Sequence, residues 1–222
     1  MKDIYVADIN DFYKFDLIEK IKSKMGKKIL IIWMKTLGDG NRIKYFQELK
    51  FKEYNPMLFK ELKNIIDNNK RKIEEIQKIK SLKGCKFIDN SLFITNNIKE
   101  REKYFLEVSK LLKDIDLVFF DPDNGIAPNN NKKKKNMYLY WDEIKEIWNK
   151  NIDLLIYQSI RHEKNFNENI VDCCKKELIN ANVFPFKTKY ALYLLILRNF
   201  DKNIINEIIK DWRRINQIGA KI

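Results

Sequence analysis

Two carboxylates flank a proline in Asp121-Pro122-Asp123-Asn124-Gly125, directly after the apolar run Leu117-Val118-Phe119-Phe120. Pro122 fixes its own φ and lacks a backbone donor, while Gly125 permits a turn that other residues resist. Asp121 and Asp123 are therefore expected at a strand end with little backbone freedom. Ligands bind outside the carboxyl ends of parallel strands, so polar residues at this place are candidates for chemistry. Asp8 closes an earlier apolar run. With Asp121 and Asp123 it offers the hard oxygen ligands that Mg²⁺ or Mn²⁺ takes, provided the strands that carry them are neighbours. His162 beside Arg161 adds a proton carrier and a phosphate clamp. Gly38-Asp39-Gly40 can bring backbone close to a ligand, although it lacks the spacing of a full dinucleotide fingerprint. Each of these has a plainer alternative. Asp and Asn cap helices and build turns, and a histidine between charged neighbours is an ordinary surface residue.

The elements that position these residues alternate between short apolar runs and amphipathic stripes. Ile4 to Ile9 is expected to be a strand ending near Asp8. Phe12, Phe15, Ile18, Ile21 and Met25 then recur at helical spacing, with Asn10 or Asp11 as the cap. Lys28 to Met34 reads as a second buried strand running into the glycine corner. Leu58, Leu62, Ile65, Ile73 and Ile76 place helices in an insertion near 41–83. Cys85 to Ile88 and Leu92 to Ile94 read as short strand segments. A stripe at Tyr104, Phe105, Val108, Leu111 and Leu112 leads into Leu117–Phe120, whose unalternated apolar character is that of a central strand covered on both faces. Asp142 is expected to cap a helix containing Ile144, Ile147 and Trp148. Asp153 to Tyr157 is a further strand, ending in Gln158-Ser159, and a helix through Phe166, Ile170, Cys174 and Leu178 follows it. Val183–Phe186 and Tyr190–Leu197, joined by Lys187-Thr188-Lys189, read as a late antiparallel pair. A last amphipathic helix spans Ile204 to Ile215. The fold class that results is α/β, in a single domain over 1–222.

Lys and Arg total 44 against 31 Asp and Glu, for a formal charge of +13. Such an excess favours polyanion partners through long-range attraction and counterion release. Lys132 to Lys135, in a polar tract near 129–136, read as a flexible solvated loop or as a basic edge that touches phosphate. Cys85, Cys173 and Cys174 match neither a zinc site nor a disulfide framework and read as structural. No run reaches transmembrane length and no leader is evident, so a cytoplasmic, non-membrane protein is expected.

The order of elements resembles Rossmann-like S-adenosylmethionine-dependent methyltransferases: a strand with Asp121-Pro122-Asp123, a helix, a strand with Tyr157-Gln158, a helix and a closing antiparallel pair. Asp121-Pro122-Asp123-Asn124 is similar to the Asp-Pro-Pro-Tyr motif of the members that methylate nucleic-acid amines. Asp123 stands where that family has its second proline and Asn124 where it has its aromatic residue. The opening Ala7-Asp8-Ile9-Asn10-Asp11-Phe12-Tyr13-Lys14 loosely resembles the start of adenine methyltransferases acting on ribosomal RNA. The chain also resembles a group of uncharacterised bacterial proteins that share Asp121 to Gly125.

The methyltransferase resemblance implies a Rossmann-like three-layer sandwich with a mostly parallel sheet, and S-adenosylmethionine as cofactor. It also implies RNA or DNA as substrate. Asp121 would hydrogen-bond the target amine and Pro122 would shape the pocket, with Asp123 and Asn124 completing the corner. Gly38, Asp39 and Gly40, together with Asp8, would hold the cofactor, and Tyr138, Tyr140 or Trp141 would supply base stacking. Two other functions fit the same residues. One is a metal-dependent nuclease or phosphoryl-transfer enzyme using Asp8, Asp121 and Asp123. The other is a nucleic-acid-binding protein that keeps the fold without the chemistry.

Overall fold

The first apolar run is not a strand. In the computed structural model, which describes residues 2–36, 49–89, 91–128, 134–160 and 164–220, Asp3–Tyr5 forms one 3-10 turn and Ala7 takes φ 62°. Asp8 then caps helix α1 (Ile9–Met25) by accepting from the Asp11 N–H at 2.9 Å. The Asp11 carboxylate accepts from the Ala7 N–H at 2.8 Å and from Lys14 Nζ at 2.9 Å. Two carboxylates three residues apart satisfy donors that a helix start leaves open, and this outweighs the strand preference of Ile4 and Val6. Gly26, in the left-handed region at φ 66°, ends the helix.

Strand β1 (Ile29–Ile32) follows. Within the stretch expected to be a helical insertion, the described residues form α2 (Leu49–Tyr54), α3 (Pro56–Asp67) and α4 (Ile73–Ile76). Asn55 caps α3, and Pro56 opens it where no N–H is needed. The chain continues through β2 (Lys86–Phe87), α5 (Ile98–Lys110), β3 (Leu117–Phe120), β4 (Gly125–Ile126) and β5 (Tyr138–Leu139). It ends with α6 (Trp141–Trp148), β6 (Asp153–Ser159), α7 (Lys164–Glu177), β7 (Asn182–Lys187), β8 (Ala191–Leu197) and α8 (Lys202–Ala220). Leu92 to Ile94 is not a strand. It makes one sheet-like bond, from the Ile94 N–H to the Lys35 carbonyl at 2.9 Å.

The chain divides into a sheet unit (Lys28–Leu37 and Lys86–Phe200) and a helical unit (Lys2–Lys27, Gly38–Cys85 and Asp201–Ile222). In the helical unit, Phe12 and Tyr13 of α1 pack on Phe51 of α2 with ring centroids 4.9 and 5.7 Å apart, and Tyr13 also meets Trp212 of α8 at 5.6 Å. Lys20 bridges Asp16 and the Tyr54 hydroxyl beside this aromatic core, and Lys24 pairs with Glu207 at 2.7 Å.

The sheet unit has six strands in the order β2-β1-β3-β6-β8-β7. β2, β1, β3 and β6 are parallel, and β8 runs antiparallel between β6 and β7. Ile31, Phe119, Leu155 and Leu195 lie side by side across it, all fully buried. That double-sided burial explains why these strands show no alternation of polar and apolar residues. The mostly parallel α/β sheet with its late antiparallel pair is the fold class read from the sequence. A separate parallel pair, β4 with β5, stands beyond the end of β3.

Candidate functional site

The chain leaves β1 to form β2 on one side, while β3 lies on the other side of β1. Strand order therefore reverses between β1 and β3, and a crevice at the carboxyl ends of such a pair is where open α/β sheets bind ligands. Trp33 to Thr36 leave β1 here and Asp121 to Asn124 leave β3. Parallel pairing carries on one residue past the strands, with the Asp121 N–H donating to the Ile32 carbonyl at 3.0 Å. Asp121 is only 3% exposed. Thr36 Oγ1 donates to Asp123 Oδ2 at 2.7 Å and so ties the two strand extensions together. Within the β1 extension Met34, fully buried, is held at φ 45°, a conformation costly for a residue with a Cβ.

The other side of the corner is fixed by β6. Gly125 has φ 100°, and a Cβ placed on it would lie 2.2 Å from Gln158 Oε1. Only glycine fits here, on both counts. Gln158 Oε1 accepts from the Ile126 N–H at 2.8 Å, and its Nε2 donates to the carbonyls of Asn124 at 3.1 Å and Ser159 at 3.2 Å. Asn124 donates its backbone N–H to the Met137 carbonyl at 2.9 Å and its side-chain Nδ2 to Met137 Sδ at 3.0 Å. The Asp121 to Gly125 corner is thus clamped by Thr36, Met137 and Gln158. Asn124 serves the clamp.

Two residues of this edge carry no role in the sequence reading. Gln158, 4% exposed, announces itself only as an amide that closes an apolar strand. Asp89 follows β2 and is exposed at the same carboxyl edge, where the Ile88 N–H donates to the Ile31 carbonyl at 3.2 Å. The Ser91 N–H donates to Asp89 Oδ1 at 2.8 Å, and with the Ser91 hydroxyl it holds the carboxyl below the usual carboxylate range. An anionic acceptor beside β1 suits the hydroxyls of a ribose. Its signal in the sequence is an acid just after a strand, readable only once that strand is known to flank β1.

The aromatic residues downstream separate into two groups. Tyr140 and Trp141 are buried, at 3% and 7% exposure, so they belong to the core and offer no stacking face. Tyr138 is half-buried. Asp142 does not cap α6. Tyr140 occupies the cap position, and Glu143 reaches back to accept from its N–H at 3.0 Å, because Arg101 holds Glu143 in place with a two-bond ion pair. Lys134 pairs with Asp142 at 2.5 Å and with Glu143 at 3.0 Å. Burial lowers its pKa, but these carboxylates outweigh it and the net shift is upward. Lys135 is exposed, and residues 129–133 of the lysine tract lie outside the described residues. A cavity of about 350 Å³ opens between α5 and α6, lined by Arg101, Phe105, Lys134 and Glu143 among others. None of the strand-end residues lines it.

Asp8 belongs to the helical unit and caps α1 there. Burial raises its carboxyl pKa, opposed by the Lys14 charge and the Asp11 N–H. Gly38, Asp39 and Gly40 lie outside the described residues, as do Arg161 and His162. Among the described residues no three His, Cys, Asp or Glu side chains form a group able to hold a metal ion. Burial pushes the thiols of Cys85 and Cys174 up, to about 11 and about 12, as suits packing residues. No helix among the described residues is long and apolar enough to cross a membrane. Comparison with protein-family models, with curated proteins and with solved structures returned no match to this chain.

Proposed function

We propose that this chain is a nucleic-acid-directed, S-adenosylmethionine-dependent methyltransferase acting on a base amine. The observation that carries the reading is the clamped Asp121-Pro122 corner at the carboxyl end of the central parallel strand, beside the crevice where strand order reverses. The slot of antiparallel β8 between β6 and β7 supports it, since the resemblance implies a closing pair. So does the +13 charge, which suits a phosphate backbone.

In this reading Asp121 accepts a hydrogen bond from the target amine and so orients the nitrogen. Pro122 presents a face without a donor. Asp123, tied to Thr36, keeps the two strand extensions at a fixed separation. Asp89 accepts from the ribose hydroxyls of the cofactor, and Gly38, Asp39 and Gly40, next in sequence after the β1 extension, are the further residues assigned to hold it. S-adenosylmethionine, when bound, supplies an already activated methyl group. The protein's contribution is therefore alignment. Asp8 has its work in capping α1.

One feature favours a second reading. Asp123 adds a carboxylate that amine methylation does not require, and Asp121 with Asp123 suits Mg²⁺ or Mn²⁺ in a nuclease. Incubation with methyl-tritiated S-adenosylmethionine and pools of RNA and DNA separates the two. Label is expected in one of the pools, and an Asp121→Ala variant that keeps its circular dichroism should transfer none. Absence of label, with cleavage dependent on Mg²⁺ or Mn²⁺, would replace methyl transfer by phosphodiester hydrolysis.

A further inference from the structure

We infer that the turn between β7 and β8, Lys187-Thr188-Lys189-Tyr190, docks a single-stranded stretch of the nucleic-acid substrate. The inference rests on the methyltransferase reading only for the word substrate.

Place comes first. β6 and β7 both pair antiparallel with β8, so they point the same way and the turn after β7 emerges at the carboxyl edge of the sheet. Asp121, Asp123 and Asp89 lie along that edge. The Ile160 N–H donates to the Tyr190 carbonyl at 3.3 Å, which fastens the turn to the segment leaving β6, next to Gln158. A strand of nucleic acid that touches the turn is thus at the same edge of the sheet as the candidate site.

Thr188, 6% exposed, knots the turn from within. Its hydroxyl accepts from the N–H groups of Tyr190 at 3.2 Å and Ala191 at 2.9 Å, and its own N–H donates to the Ala191 carbonyl at 2.8 Å. With Thr188 turned inward, Lys187, Lys189 and Tyr190 are all exposed. Tyr190 keeps 41% of its surface open, and Lys189 Nζ stands 5.3 Å from its ring centroid. An exposed ring with one ammonium group beside it and a second exposed lysine three residues earlier suits unpaired nucleotides: a base stacks on the ring while neighbouring phosphates meet the lysines. A duplex, whose bases already stack on each other, has no free face for the ring. Because the turn is hydrogen-bonded beforehand, ordering it on binding costs little.

The test is fluorescence anisotropy with labelled oligo-U, oligo-dT and a duplex of the same length, over a range of salt. Wild type, Tyr190→Ala, the pair Lys187→Glu and Lys189→Glu, and the pair Lys110→Glu and Lys113→Glu are compared. The last pair makes the same charge change at the opposite edge, ahead of β3. Wild type is expected to prefer a single strand, and the better of the two probes names RNA or DNA. Tyr190→Ala should bind about tenfold more weakly with its salt dependence unchanged. The Lys187 and Lys189 pair should bind more weakly and flatten the logarithmic salt slope by roughly 1.4, two phosphate contacts on a single strand. The Lys110 and Lys113 pair should keep the wild-type slope. The inference is overturned if wild type binds no single strand, or if both turn variants bind as wild type does. Calorimetry with S-adenosylmethionine on the same proteins keeps the two claims apart. Single-strand binding through the turn without cofactor binding upholds the docking surface and refutes the methyltransferase reading.

Discussion

Gly125 and Gln158 occupy space that neither could share with a larger neighbour. Gly125→Ala forces a Cβ to within 2.2 Å of Gln158 Oε1 at a φ of 100°. The chain must move Gln158 off the Ile126 N–H or distort the corner. A loss of about 2–4 kcal/mol in urea unfolding is expected, combining backbone strain with overpacking. Gln158→Leu removes the partner of that N–H, and a buried donor left unpaired costs about 1–3 kcal/mol in the same assay, while the Asn124 carbonyl keeps the Ser159 N–H at 3.2 Å.

Asp8 tests a different kind of constraint. Its folded pKa is raised above the unfolded value, so the native state holds the extra proton between the two. Its contribution to stability is full below the unfolded pKa near 3.8 and is lost as pH rises through the folded one. Asn also caps helices and does not titrate. Asp8→Asn should therefore gain on wild type in urea midpoint as pH goes from 4 to 7. Equal pH profiles would show that the carboxyl is not destabilised by burial. Neither Gln158 nor Asp89 was assigned a role from sequence, because each acquires its meaning from residues far away in the chain. Gln158 bonds a backbone 32 positions away, and Asp89 matters only once β2 is seen beside β1.

Among the elements, α5, β5 and α6 meet at Arg101. Its guanidinium, 2% exposed, forks onto Glu143, donates to the Tyr138 carbonyl at 2.7 Å and lies 5.1 Å from the Tyr140 ring centroid. Arg101→Met takes the two-bond partner from a buried carboxylate that keeps only Lys134 and the Tyr140 N–H, and should cost up to about 3–5 kcal/mol in chemical denaturation. Replacing both partners, Arg101→Met with Glu143→Leu, should cost less than the single change. The pair also accounts for the misplaced cap of α6. Asp142 has the better sequence pattern, but Arg101 positions Glu143 to reach the Tyr140 N–H, and local pattern yields to a partner 42 residues away. β3 and the β7–β8 pair were legible because burial on both faces or a short connecting turn writes itself into neighbouring residues. Ile4 to Ile9 misled for the same reason in reverse. Val6 and Ala7 are buried without strand pairing, Ile4 and Ile9 are only half-buried, and the capping carboxylates Asp8 and Asp11 decide the outcome.

At the scale of the whole molecule, a strongly basic chain carries its candidate site on one edge of a parallel sheet. The Asp121 corner was legible as a strand end with carboxylates. Its clamps were not, since Thr36, Met137 and Gln158 come from three separate stretches. We propose that S-adenosylmethionine binds at the carboxyl edge of β2, β1 and β3. Calorimetric titration of wild type and Asp89→Ala with the cofactor tests it most directly, because Asp89 is exposed and its loss leaves the core intact. One saturable site is expected in wild type, weakened at least tenfold in the variant through loss of a charge-assisted hydrogen bond. No saturable binding to wild type, or equal affinity in the two proteins, would contradict it.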